Sequence, residues 1–186
     1  SSGSVRFLLD GLYNPRTHKG LLVYTSEAEK LTDLVVKASE AAKEFFKGVK
    51  QRNERHRSQS NGRCHKNFIE DNLSAQFKEL RAALSGLAKQ AKDEDERFEL
   101  TRYVDKCAGL LADVEAFLPQ TKQDYVYWVE ASESKSLDSG RSKRDAVYLK
   151  SAPLNVGADV KRSLFDKFES VIMTSATLSS GGEKGK

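Results

Sequence analysis

Apolar residues recur along three stretches of the chain at spacings of three and four, the pattern of helices that bury a single seam. In residues 27–49 they fall at Leu31, Leu34, Ala38, Ala41 and Phe45, and Ser26 with Glu29 reads as a reciprocal N-terminal cap. Residues 68–91 repeat the pattern at Ile69, Leu73, Phe77, Leu80, Leu84, Leu87 and Ala91, behind an Asn67–Glu70 cap. Residues 94–118 do so at Leu100, Val104, Cys107, Leu111, Val114 and Leu118, with Asp93 and Glu96 placed to cap and Pro119 to stop the run. A seam this narrow, with a period of about 3.5 residues, can be buried only against other helices. Short or polar links make neighbours antiparallel. The pattern therefore predicts a long antiparallel three-helix bundle, with Cys107 buried in it as a small hydrophobe.

Beyond Pro119 the period changes. Residues 125–129 and 146–149 are short, aromatic and β-branched, which predicts two strands of a hairpin around a Ser/Lys/Arg-rich loop, 132–143. A short helix is predicted from about Val156 to Phe168, with Val160, Leu164 and Phe168 on one face. Ser170-Val171-Ile172-Met173 reads as a strand without alternation, which expects cover on both faces as in a parallel sheet. Nothing else in the chain supplies that sheet. At the other end, residues 5–9 read as helix and 12–20 as a loop. The expectation is a helical insertion emerging from, and returning to, an α/β domain of which only remnants are present.

Composition adjusts this reading in three ways. A chain of 186 residues with 12 Gly, 3 Pro and 31% charged residues is helix-prone and neither collagenous nor of low complexity. No apolar run approaches the ~18 residues of a membrane span, and Ser1-Ser2-Gly3-Ser4 is not a signal peptide, so no membrane partner is expected. Two cysteines suit a reducing cytoplasm. A single methionine, Met173, implies a piece of a longer protein.

The net charge of +4 is unevenly distributed. Between Lys47 and Lys66, seven cations (Lys47, Lys50, Arg52, Arg55, Arg57, Arg63 and Lys66) face one acid, Glu54, a local excess of six. The remainder sums to −2. Such a run is either a solvated helix end with a flexible loop or a tip that contacts phosphates. Without interleaved aromatics, only non-specific backbone contact is expected of it.

Other candidate chemistry is thin. Cys64-His65 with nearby His56 falls short of the four ligands a structural zinc takes, because Cys107 sits in a seam. Residues 181–186 offer three residues, not four, between the first Gly and a Gly-Lys pair, so they are not a phosphate loop. Acids 93–96 open a helix, where they complement its dipole. No complete catalytic set is recognisable. Thr174-Ser175-Ala176-Thr177, directly after an apolar strand, would lie at the carboxyl end of a sheet, where open α/β folds bind ligands.

Thr174-Ser175-Ala176-Thr177 after Val171-Ile172-Met173 resembles the Ser-Ala-Thr motif of superfamily 2 helicases. The order of 151–156, Leu164-Phe165 and 170–178 resembles the DinG/XPD branch, and 12–22 resembles the segment after the DEAH box of bacterial DinG-like proteins. The resemblance implies a mainly α fold in which residues 17–122 are an Arch-type helical insertion. Residues 1–16 would be a motor-domain flank, and 123–186 a β-hairpin and return into the first motor domain. It implies that the full-length protein is a cytoplasmic, ATP- and Mg²⁺-dependent DNA helicase. Such an enzyme acts without sequence specificity on single-stranded or forked DNA, usually 5′ to 3′. Thr174, Ser175, Ala176 and Thr177 would couple nucleotide state to DNA, and Lys50, Arg52, Arg55, Arg57, Arg63 and Lys66 would touch the strand. Cys64 and Cys107 fall outside the family's iron–sulfur ligand positions, so this piece is expected to bind no cluster, metal or nucleotide and to be inactive alone. The alternative is a non-enzymatic helical module that binds protein or nucleic acid.

Overall fold

The computed structural model describes residues 1–25, 28–60, 62–132, 146–172 and 174, with the side chains of 28 and 56–59 outside that description. It is mainly helical, with a small two-stranded antiparallel sheet. Helix α1 spans Ser2–Leu12, α2 Ala28–Ser60, α3 Ser74–Gln90 and α4 Glu94–Phe117, and the strands are β1, Tyr125–Ser132, and β2, Ala146–Pro153. Two compact units result, Ser1–Ala152 and Pro153–Lys186. Among the described residues no helix is long and apolar enough to cross a membrane.

The first unit has one continuous core running from Val5 on α1 through the three longer helices to Tyr127, Val129 and Val147 on the strands. α2 is its central element. It is buried at adjacent pairs, Leu34/Val35, Ala41/Ala42 and Phe45/Phe46, and not at a single seam. It packs against α1 on one side and α3 on the other, so its apolar stripe must be wider than a two-helix seam requires. α3 and α4 are joined by residues 91–93 alone and pack against each other as an antiparallel hairpin. Because α1 and the hairpin strands share this core, no packing break occurs at 16/17 or 122/123. The break lies at 152/153.

The seams of α3 and α4 bury Phe77, Leu80, Leu84, Leu87, Leu100, Cys107, Leu111 and Val114 as their periodicity predicts. The Asp93 carboxylate accepts from the Glu96 N–H at 3.3 Å and caps α4. The predicted start of α3 is corrected. Asp71, not Asn67, accepts from the backbone of Leu73 (3.1 Å) and Ser74 (2.9 Å). Asn67 instead takes a positive φ of 50° and donates its N–H to Leu118 O at 2.7 Å, tying the α2–α3 link to the end of α4. Ser26 lies outside the described residues.

α2 is also longer than predicted. It continues through the basic stretch to Ser60, because residues 50–60 contain no Pro or Gly and are rich in Lys, Arg, Gln and Glu, which lose little rotamer freedom in a helix. The apolar seam ends at Val49, which is fully buried; four residues on, the same stripe carries half-buried Asn53. The last turns of α2 therefore stand against a polar neighbourhood.

In the second unit the predicted helix is reduced to one turn, Gly157–Val160, and a π-helical turn, Lys161–Phe165. None of its described residues is buried: Leu154, Phe168 and Ile172 are all more than half exposed. Val171 and Ile172 form no strand, since no described residue pairs with them. Thr174 is exposed, and Ser175, Ala176 and Thr177 lie outside the described residues.

Candidate nucleic-acid interface

The link that leaves α2 does not hang free. The Cys64 N–H donates to Tyr127 O at 3.1 Å and the Val129 N–H to Gly62 O at 2.9 Å, so Arg63 and Trp128 form an antiparallel bridge. Residues 62–64 thus cover the open edge of β1. Gln120 Nε2 donates to Cys64 O at 2.8 Å and fastens the same segment to the end of α4. Gly62 makes this docking possible. Its φ is +79°, and a Cβ there would sit 2.9 Å from Val129 O. Gly62→Ala should therefore lower stability by about 1–3 kcal/mol through backbone strain, read as a shift in the urea midpoint. An unshifted midpoint would show that the docking does not depend on this conformation.

Between the last turns of α2 and this segment lies a cleft of about 120 Å³, lined by Arg52, Asn53, Ser60, Gly62, Arg63, Cys64, His65, Phe68 and Val129. Its size suits a small anionic group such as a phosphate. Among the described residues no carboxylate lines it. Among the described residues Arg52, Arg55, Arg63 and Lys66 are exposed and form no ion pair. Lys50 is half-buried and lies 3.9 Å from Glu54, so part of its charge is already compensated. The Arg57 side chain lies outside the described residues. Of the cations singled out in the sequence, Arg52 and Arg63 line this cleft together.

Burial pushes the Cys64 thiol up to about 11 and the Cys107 thiol likewise to about 11. Both stay protonated at neutral pH, the form that neither attacks as a nucleophile nor binds metal. Among the described residues no three His, Cys, Asp or Glu side chains converge on one point.

The sheet adds what the linear basic stretch lacked. Arg63 and Trp128 are a non-hydrogen-bonded antiparallel pair, so their side chains project from the same, outer face of the sheet at close range. On that face Trp128 Nε1 donates to Glu130 Oε1 at 2.8 Å and Lys150 Nζ to Glu130 Oε2 at 2.6 Å. These bonds, Lys150 first, hold the Glu130 carboxyl below its ordinary range. Lys150 Nζ also lies 5.7 Å from the Tyr148 ring centre. The basic stretch has no aromatic within it, yet strand pairing sets Trp128 beside Arg63. Trp128 comes from a strand 65 positions beyond Arg63, and only strand pairing places the two side by side.

No family model matches the chain, and neither does any curated protein or solved structure at a significant level.

Proposed function

We propose that this chain is the Arch-containing portion of a bacterial, cytoplasmic DinG-like DNA helicase, and that its basic end guides single-stranded DNA through phosphate contacts. The observation that carries the DNA contact is the pair Arg52 and Arg63, both exposed and, among the described residues, without an ion pair, lining one small cleft that no described carboxylate enters. The helicase assignment rests on the sequence resemblance of residues 12–22 and 151–178 to that family. The second unit supports it: Leu154, Phe165, Phe168 and Ile172 are exposed, as expected of an element that completes its core in a larger α/β domain.

In this reading the long helices form a rigid strut, and Thr174, Ser175, Ala176 and Thr177 link the nucleotide site to the strand. ATP and Mg²⁺ would be held elsewhere in the full-length protein, by the P-loop and DEAH acids that the resemblance places outside this chain. The chain by itself should hydrolyse no ATP. Its coding sequence should be flanked by a P-loop and DEAH acids upstream and arginine-bearing motifs downstream. ATP turnover by the purified chain, or flanks without those motifs, would overturn the helicase assignment.

One observation favours a second reading. The core of residues 1–152 is continuous and complete enough for that unit to act as a non-enzymatic nucleic-acid-binding module. Single-strand binding without the flanking motifs would select it.

A further inference from the structure

We propose that the outer face of the β1–β2 sheet is a base-stacking platform for single-stranded DNA, with Trp128 as its centre and Arg63 linking it to the phosphate cleft. This rests on the DNA-contacting reading above and extends it from phosphates to bases. Three observations place the parts together. Arg63 both lines the cleft and stands opposite Trp128 in the bridge. Trp128 is bound to Glu130 through its ring N–H, a bond in the plane of the indole that uses its edge and neither face. Tyr148, 38% exposed, and Lys150 continue the same outer face on the next strand.

Charge favours DNA as the occupant. Glu130 is compensated by Lys150, leaving the Arg63 guanidinium, among the described residues of this face, as a charge without an ion pair, continuous with Arg52 across the cleft. Adjacent strands lie about 4.8 Å apart, so a strand crossing the face from Arg63 would meet the Trp128 ring on β1 and then Lys150 on β2, with the Tyr148 ring two positions along the same strand. Aromatic rings flanking a cationic groove are the arrangement by which proteins hold single strands without reading sequence. A duplex, whose bases are already stacked, could use the cations but not the rings.

Trp128 is the chain's single tryptophan, so indole emission reports this face alone. Titration with a short oligothymidylate should quench that emission along the same isotherm as the anisotropy of a labelled strand. A duplex and an abasic oligonucleotide of the same length should bind through phosphates without quenching. Trp128→Ala should weaken oligothymidylate binding about tenfold while leaving its salt slope unchanged, and Trp128→Phe should restore most of the affinity. Should either variant melt early, quenching of the unsubstituted protein still decides. Binding with no quenching, and equal affinity in the variants, would overturn the platform and leave the phosphate contact standing. No binding of any oligonucleotide would overturn both.

Discussion

Phe77→Ala should cost about 3–5 kcal/mol of unfolding free energy, among the largest effects expected of a single substitution in this chain. The ring is fully buried in α3, within the continuous core of the first unit. Truncation removes its burial and leaves a cavity that packed helices only partly close. Domains are stable by only about 5–15 kcal/mol, so the loss is a large fraction of the total. At roughly 2–4 °C per kcal/mol for a unit of this size, the thermal midpoint followed by circular dichroism should fall by about 6–20 °C. Phe98, also aromatic but 68% exposed on α4, supplies the contrast. Phe98→Ala should change stability by no more than about 0.5 kcal/mol. Equal effects at the two positions would mean that the seam of α3 does not face the core.

The largest functional effect should come from converting Arg52, Arg55 and Arg63 together to glutamine. If each neutralises one phosphate of a single strand, each contributes about −0.7 to the slope of log K against log salt. Losing three should flatten the slope by about 2 and, at roughly 0.1 M salt, weaken binding about a hundredfold. Lys89 and Lys92, both exposed at the opposite end of the α3–α4 hairpin, serve as the control. Their conversion to glutamine removes charge without touching the cleft and should leave the slope nearly unchanged. A slope that responds equally to both sets would mean that net charge, not the tip, attracts the strand. Each triple-variant side chain is exposed, so folding should survive the change.

Much of the helical framework was legible because its cause is local. A seam at spacings of three and four can be buried in only one way, so Leu73 to Leu87 and Leu100 to Val114 announced α3 and α4. Asp93 announced the start of α4 because its carboxylate reaches an N–H three residues away. The length of α2 was misjudged for a related reason. Its seam stops at Val49, but the backbone continues, since good helix formers without a breaker need no buried face to extend an existing helix. The start of α3 was misplaced because Asn67 and Asp71 are both suitable caps, and the hydrogen bond from Asn67 to Leu118 commits the former to another task.

The candidate interface was half legible. Cations at Arg52, Arg55 and Arg63 stand close in the chain, and their common sign is visible without a fold. The cleft was not, because it forms only when Gly62 meets Val129 and Gln120 reaches Cys64. Nor was the ring beside Arg63. Trp128 read as an ordinary strand residue, and the alternation that turns it outward while Tyr127 and Val129 turn inward takes effect only once the hairpin lies on the helices.

What the sequence determined by itself was therefore the three long helices, the hairpin and the concentration of positive charge, all consequences of periodicity or composition over a few turns of chain. Only the tertiary structure decided that α2 is central, that the hairpin shares the bundle's core, and that Arg63 and Trp128 are neighbours. Those outcomes depend on contacts between residues on separate elements far apart in the chain, which burial and strand pairing select globally and no local pattern records.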